Sequence, residues 1–173
     1  FEIQMSFGNG EQISAALREF RVDVGLMTHI DPVLKGPAHF LFRRRGSQSV
    51  VLVVPAKHRW ATKRHIRLKN LQGLSMIRRE SGSITQAAFD RFCHKKEIEP
   101  CFVMELGSRE ALREAVVKGV GIGVISAGEI GNDPRIKGVP FQGGSPQVHE
   151  FIICLAARKN APLIRSFRES VFK

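Results

Sequence analysis

The sequence predicts an α/β fold. Short apolar runs of strand length alternate along the chain with amphipathic stretches of helical period, which is the pattern of helices crossing between strands of largely parallel sheets. VVLVVP is one such strand candidate and EFIICLA a long, largely apolar one. The chain of 173 residues is 43% hydrophobic and 25% charged, long enough for one domain or two small lobes around a real core. It contains no internal repeat and no low-complexity tract.

The elements follow in order. FEIQMSF, residues 1–7, alternates apolar and polar side chains, the period of a strand. Asn9 is placed to cap a helix whose inner face carries Ile13, Ala16, Leu17 and Phe20. VDVGLM is a short strand, HFLF and VVLVVP are two more, and the second ends at Pro55. LKNL makes a single turn and LSMI a strand. A helix spans Ser83 to about Lys95 with Ile84, Ala88, Phe89 and Phe92 inward. CFVMEL is a strand, and Ser108 to Lys118 a helix with Ala111, Leu112, Ala115 and Val116 inward. IGVIS, IKGVPF and EFIICLA are strands, with the glycine-rich FQGGSPQ a loop before the last. A helix from about Pro162 closes the chain on Leu163, Ile164, Phe167 and Val171.

Composition narrows the function. No apolar run is long enough to cross a membrane, and no signal peptide is visible. The chain starts at Phe1 and reads as a piece of something longer. Cys93, Cys101 and Cys154 are odd in number and widely spaced, the pattern of reduced thiols in a cytosolic protein. The net charge is +11, and KHRWATKRHIRLK, Lys57 to Lys69, concentrates it. Such a stretch attracts anions, yet no zinc-finger spacing, RNP pattern or GXXG loop accompanies it. It reads as a solvated face or as a weak contact with DNA.

The chemistry-bearing stretch is RRESGSIT, Arg78 to Thr85, where a strand turns into a helix. Ser83 with Gln86 three residues on is a capping-box pattern, which accounts for Ser83 alone. Gly82 would let a ligand approach the backbone, Ser81 and Thr85 add hydroxyls, and Arg79 adds charge. A second turn of this kind, LGSRE, places Gly107 and Ser108 before the next helix. Helix starts present unpaired N–H groups and a positive dipole end, so the two turns suggest one anion-accepting cleft beyond the strand ends. KGVGIGV has the wrong order for a dinucleotide fingerprint: helix, then Gly119, Gly121 and Gly123, then strand. It reads as a helix C-cap followed by close packing. No nucleophile elbow occurs, the six histidines lack metal-ligand spacing, and nothing calls for a cofactor or a metal.

Five segments in order carry a resemblance: VDVGLM, VVLVVPAKHRWA, MIRRESGSIT, ELGSREALREAVVKGVGIGVIS and ICLAAR. Together they resemble the effector-binding domain of LysR-type transcriptional regulators. ALREFRVDVGLM, RESGSIT, the run from Glu105 to Ile136 and FIICLA look most like the subgroup associated with aminoethylphosphonate catabolism. The resemblance implies two Rossmann-like lobes of the type II periplasmic-binding-protein kind. Lobe I would take residues 1–54 and 149–173 and lobe II residues 55–148, with the family's first strand and helix of lobe I absent from this chain. The implied effector site is Arg79, Ser81, Gly82, Ser83 and Thr85, the turn of Gly107 and Ser108, and Thr28 and His29 at the rim. Function would be binding without catalysis: a small anionic effector shifts lobe geometry in a homodimer or homotetramer. DNA would be held by an upstream winged helix-turn-helix outside this chain. An aminophosphonate would add an ammonium, for which Glu80, Glu105 and Glu110 are candidate partners. An extracytoplasmic solute-binding protein and a two-lobe enzyme are the competing classes. An upstream helix-turn-helix in the full gene separates out the first, and turnover of a ligand the second.

Overall fold

The computed structural model describes residues 3–8, 10–31 and 39–171. It divides into two compact units, Phe1–Ser47 with His149–Lys173, and Gln48–Val148.

The second unit is built on alternating strands and helices. β2 (Phe40–Pro55) enters it and pairs antiparallel with both β5 (Gly123–Ser126) and β6 (Ile136–Val139), so that Leu52 faces Val124 on one side and Val139 on the other. Val50 to Val54 are all buried, as a strand between two partners requires. β3 (Ser75–Arg79) and β4 (Cys101–Leu106) run parallel, with Arg79 opposite Leu106 and a register shift between Met76 and Ile77. β3 also lies parallel to the entry of β5, where Met76 bridges Ile122 and Ile77 N donates to the Ile122 carbonyl at 2.8 Å. The crossovers are α2 (Ile84–His94) after β3 and α3 (Arg109–Val117) after β4. Parallel pairing at these three strands places the carboxyl ends of β3, β4 and β5 at one edge of the sheet. Val51, Val53, Ile77, Leu112, Val116, Ile125 and Ile136 form the core beneath.

The glycines of KGVGIGV act as packing residues. Gly119 has a φ of +75° just past α3, the left-handed cap position. A Cβ on Gly121 would lie 2.9 Å from the Ser75 carbonyl oxygen, so the close approach of the β5 entry to β3 requires glycine.

The basic stretch folds back onto this unit. Trp60, Ile66, Leu68 and Leu71 point inward, Ile66 bridges Phe141, and a single 3-10 turn covers Leu68–Leu71, as LKNL predicted. His58 Nδ1 accepts the Trp60 N–H at 3.2 Å, and burial with the adjacent Arg59 lowers the His58 pKa.

In the first unit, β1 (Gly25–His29) pairs antiparallel with β7 (Gln147–Leu155), Gly25 opposite Ile153 and His29 opposite His149. α1 (Gly10–Arg18) sets Leu17 against Phe40 and Ile153. α4 (Pro162–Val171) buries Ile164.

Several expectations are corrected. Residues 3–8 form no strand, and Ile3, Met5 and Phe7 are exposed; alternation gives a strand only where a neighbour completes the ladder. The Asn9 cap lies outside the described residues. Phe20 falls beyond the end of α1, at a φ of +57°, and is exposed with Arg158 over its ring. HFLF and VVLVVP are one sixteen-residue strand, because the arginines between them stay extended and exposed, Arg45 pairing with Glu150 at 2.9 Å. The sheets are mixed: among the described residues the parallel pairing lies at β3, β4 and the entry of β5, with an isolated parallel bridge between Ile66 and Phe141. Residues 48–54, expected in the first lobe, belong with the second unit, since from Val50 their ladder partners are β5 and β6. In α4, Leu163 and Phe167 are exposed and Ile164 alone is buried; the Val171 side chain lies outside the described residues.

Candidate functional site

Both strand-to-helix turns form as their sequences direct. At the first, Ser83 caps α2: its Oγ accepts the Gln86 N–H at 3.4 Å. Gly82 sits at a φ of +92°, which only glycine adopts without strain. The hydroxyl keeps its own proton to donate, because capping uses a lone pair. At the second turn Ser108 Oγ accepts the Ala111 N–H at 3.0 Å and so caps α3. A Cβ on Gly107 would meet nothing within 4 Å, so the space beside that backbone is open. The turns are joined across the edge, where Glu80 N donates to the Leu106 carbonyl at 3.1 Å.

Gln86 was read only as the far half of a capping box, but its side chain does more. It is buried, accepts the Arg79 N–H at 3.1 Å and donates to Asp90 Oδ1 at 2.8 Å. Asp90 in turn holds Arg78 at 2.8 Å. The turn is therefore clamped from the strand side and the helix side together.

Thr85 Oγ1 lies 3.2 Å from Ser126 Oγ. Ser126, at the end of β5, was missed in the sequence. It is a hydroxyl at a strand's carboxyl end, but no helix-capping pattern follows to mark it. Ser83, Thr85, Ser108 and Ser126 thus all belong to one edge of the second unit, with Ser81 exposed on the same turn.

The charges at this edge are internally matched. Arg79 spends its guanidinium on Glu80 through two bonds of 2.7 and 2.8 Å. That pairing holds the Glu80 carboxyl below its ordinary value. Arg109 bridges Glu110 and Glu129, and Arg113 donates to the Glu129 carbonyl at 2.9 Å. Glu110 is held low first by its own backbone N–H and then by Arg109. Of the three acids named as ammonium partners, Glu80 and Glu110 are held by arginine and Glu105 is exposed on β4. What the edge offers an anion is therefore directional: helix-start N–H groups and hydroxyls rather than loose cations.

Thr28 and His29 belong to the other unit, inside β1 rather than after it. His29 Nδ1 accepts the Asp31 N–H at 3.0 Å and stands 3.8 Å from the Asp31 carboxylate.

Burial pushes the Cys93 thiol up to about 12 and raises Cys154 as well, so both are poor nucleophiles. Among the described residues no group of histidines, cysteines and carboxylates is arranged to hold a metal. Nor, among the described residues, is any helix long and apolar enough to cross a membrane.

Comparison with known proteins shows the family and the fold. The family described as LysR substrate binding domain matches residues 1–173. The HTH-type transcriptional regulator CbbR of Rhizobium meliloti is 30% identical over 139 residues, 78% of this chain and 42% of that protein. The HTH-type transcriptional activator CmpR of Synechocystis is 25% identical over 177 residues, 98% of this chain and 56% of that protein. The chain spans about half the length of these curated relatives. Among solved structures, the Synechocystis CcmR regulatory domain in complex with 2-PG superposes with a TM-score of 0.82 at 22% identity, covering 99% of this chain and 82% of that one. The reduced OxyR regulatory domain of Pseudomonas aeruginosa gives 0.77 at 18% identity, with 95% and 79% covered. Both share the mixed α/β fold. The relatives are named as transcriptional regulators, not enzymes, and the chain belongs to the LysR substrate-binding domain family.

Proposed function

We propose that this domain is the sensor of a cytoplasmic LysR-type transcriptional regulator, and that it binds a small anion at the edge carrying Ser83, Thr85, Ser108 and Ser126. The observation that carries the reading is the pair of serine-capped helix starts on adjacent parallel strands, joined by the Glu80–Leu106 hydrogen bond. Such starts hold anions through N–H groups and dipole ends. Arg79, Ser81, Gly82 and Gly107 frame the same edge, and Thr28 and His29 are proposed to contribute from the first unit. The two units stand as the lobes of a type II periplasmic-binding-protein fold.

The effector is proposed to be 2-aminoethylphosphonate or a related phosphonate. A phosphonate supplies the oxygens that the hydroxyls and N–H groups would serve, and its ammonium would turn to Glu105, the candidate carboxylate exposed on β4, or compete with arginine for Glu80 or Glu110. No chemistry is done on the ligand. An effector preferring one lobe arrangement shifts the equilibrium by its difference in affinity, typically ~1–3 kcal/mol for such coupling. That shift would reset the geometry of a homodimer or homotetramer and of the DNA held by an upstream winged helix-turn-helix.

Calorimetric titration with 2-aminoethylphosphonate, phosphate and sulfate tests this, repeated with Ser83→Ala and Ser108→Ala. Saturable binding of the phosphonate is expected, weakened by about 1.5–3 kcal/mol in each variant, the usual loss for a hydrogen bond to a charged group. Binding of simple anions alone would keep the site and discard the phosphonate. Absence of binding by the folded protein would leave both serines as helix caps only.

A further inference from the structure

We infer that the second unit carries a DNA-contacting face of its own, built from the basic stretch and directed at the phosphate backbone of duplex DNA. This rests on the reading of the chain as part of a DNA-binding regulator, and it adds a contact remote in sequence from any upstream helix-turn-helix.

The charge is unusually one-sided. No aspartate or glutamate occurs between Asp31 and Glu80. Within that interval Lys57, Arg59, Lys63, Arg64, Arg67 and Lys69 are all exposed. None of them enters an ion pair among the described residues, whereas Arg78, Arg79, Arg109, Arg113 and Arg135 in the same unit all do. Unpaired, exposed cations of one sign raise the potential outside the surface and release counterions when they meet phosphates.

The stretch is also folded rather than a loose tail. Trp60, Ile66, Leu68 and Leu71 anchor it, Arg59 lies over the Trp60 ring at 5.3 Å, and Arg67 Nε donates to Gln142 at 3.0 Å. Beside it a shallow groove is lined by Arg67, Lys69 and Lys96 around Leu68, Phe92 and Ile98. Lys96 brings a cation from just after α2 to the face that holds the basic stretch.

Three classes of polyanion fit a basic face, and two fit this one poorly. Single strands need well-exposed aromatic rings for stacking; Trp60 is 5% exposed and Phe92, in the groove, is partly buried. An acidic amphipathic helix needs a row of exposed apolar anchors. Among the described residues no large hydrophobic side chain is exposed between Leu26 and Val103. Duplex phosphates need only cations in a fixed array, and they position without reading sequence.

The test is fluorescence anisotropy of this chain with a random-sequence duplex, from 50 to 200 mM salt, without effector. A slope of log K against log salt of about −4 to −5 is expected from roughly five phosphate contacts. The triple variant Lys63→Gln, Arg64→Gln, Lys69→Gln should flatten that slope by about 2.7 and weaken binding at least ~10-fold. A control triple of equal charge change in the first unit, Arg18→Gln, Lys159→Gln, Arg165→Gln, should weaken it less than ~3-fold. Should either triple unfold, Lys63→Gln against Lys159→Gln makes the same comparison. Equal losses in the two variants would reduce the effect to net charge and overturn the assignment, as would absence of duplex binding. Competition by polyglutamate as strong as by duplex, charge for charge, would assign the face to an acidic protein instead. Because no effector enters this titration and no DNA the calorimetric one, failure of either leaves the other reading distinguishable.

Discussion

The two strand-to-helix turns have the same plan and different tightness. Each runs from a parallel strand through a serine N-cap into a helix. The first is held by side chains on both flanks: Ser83 is 8% exposed, Gly82 is in the left-handed region, and buried Gln86 ties β3 to α2. The second relies on the Ser108 cap, with Gly107 in open space and Glu110 in solvent. The difference teaches a division of labour. A clamped turn fixes where hydroxyls point, while a bare turn leaves room for something to lie against the backbone.

Breaking the clamp should have the largest effect. Gln86→Ala leaves the Arg79 N–H without its buried acceptor and removes the bond to Asp90. A loss of about 2–3 kcal/mol in unfolding free energy is expected by denaturant titration. The nearest equivalent at the second turn, Ala111, contributes no side-chain bond to compare.

A smaller effect separates the glycines. Gly82→Ala forces a side chain into the left-handed region and should cost about 1–2 kcal/mol. Gly107→Ala meets no neighbour, so its unfolding free energy should stay within about 0.5 kcal/mol of the parent. Its anion affinity, read by calorimetry, should fall nevertheless, because the methyl group occupies the open space. Equal stability losses at both positions would erase the contrast between the turns.

The smallest effect concerns acid. The Glu80 pKa is lowered in the folded protein, first by its bonds to Arg79. Its contribution to stability is therefore complete above the unfolded value near 4.5 and lost as pH falls below that toward the folded value. Glu80→Gln should flatten the decline in thermal midpoint below pH 4.5. Glu110, 70% exposed on its side chain, should show a weaker change on the same substitution.

What was legible beforehand was local. CFVMEL is β4 residue for residue, and the Ser83–Gln86 spacing announced the start of α2, because caps and crossovers are decided by neighbours in sequence. Faces and partners were less legible. Phe20, Leu163 and Phe167 fit a helical stripe, yet what covers a stripe comes from elsewhere in the chain. FEIQMSF had the period of a strand without a ladder among residues 3–8. At the site, the capping serines could be named from their turns. Ser126 could not, since its contact with Thr85 joins residues 41 positions apart. The engagement of Arg79 by its own neighbour Glu80 also escaped notice, because adjacency in sequence says nothing about where two side chains turn.

The division of the chain has a consequence for biosynthesis. The second unit is one uninterrupted segment, whereas the first is assembled from two separated stretches, with β1 paired to β7. On the ribosome the uninterrupted unit emerges whole and can close its β3–α2–β4–α3–β5 core while β7 is still unmade. The earlier-translated β1 meets β7 only when that strand arrives. Completion of the first unit is thereby tied to arrival of the C-terminal segment, a long-range closure that is intrinsically slow. A nascent chain stalled before Gln147 would hold a nearly complete second unit and an incomplete first one, open to chaperones and proteases.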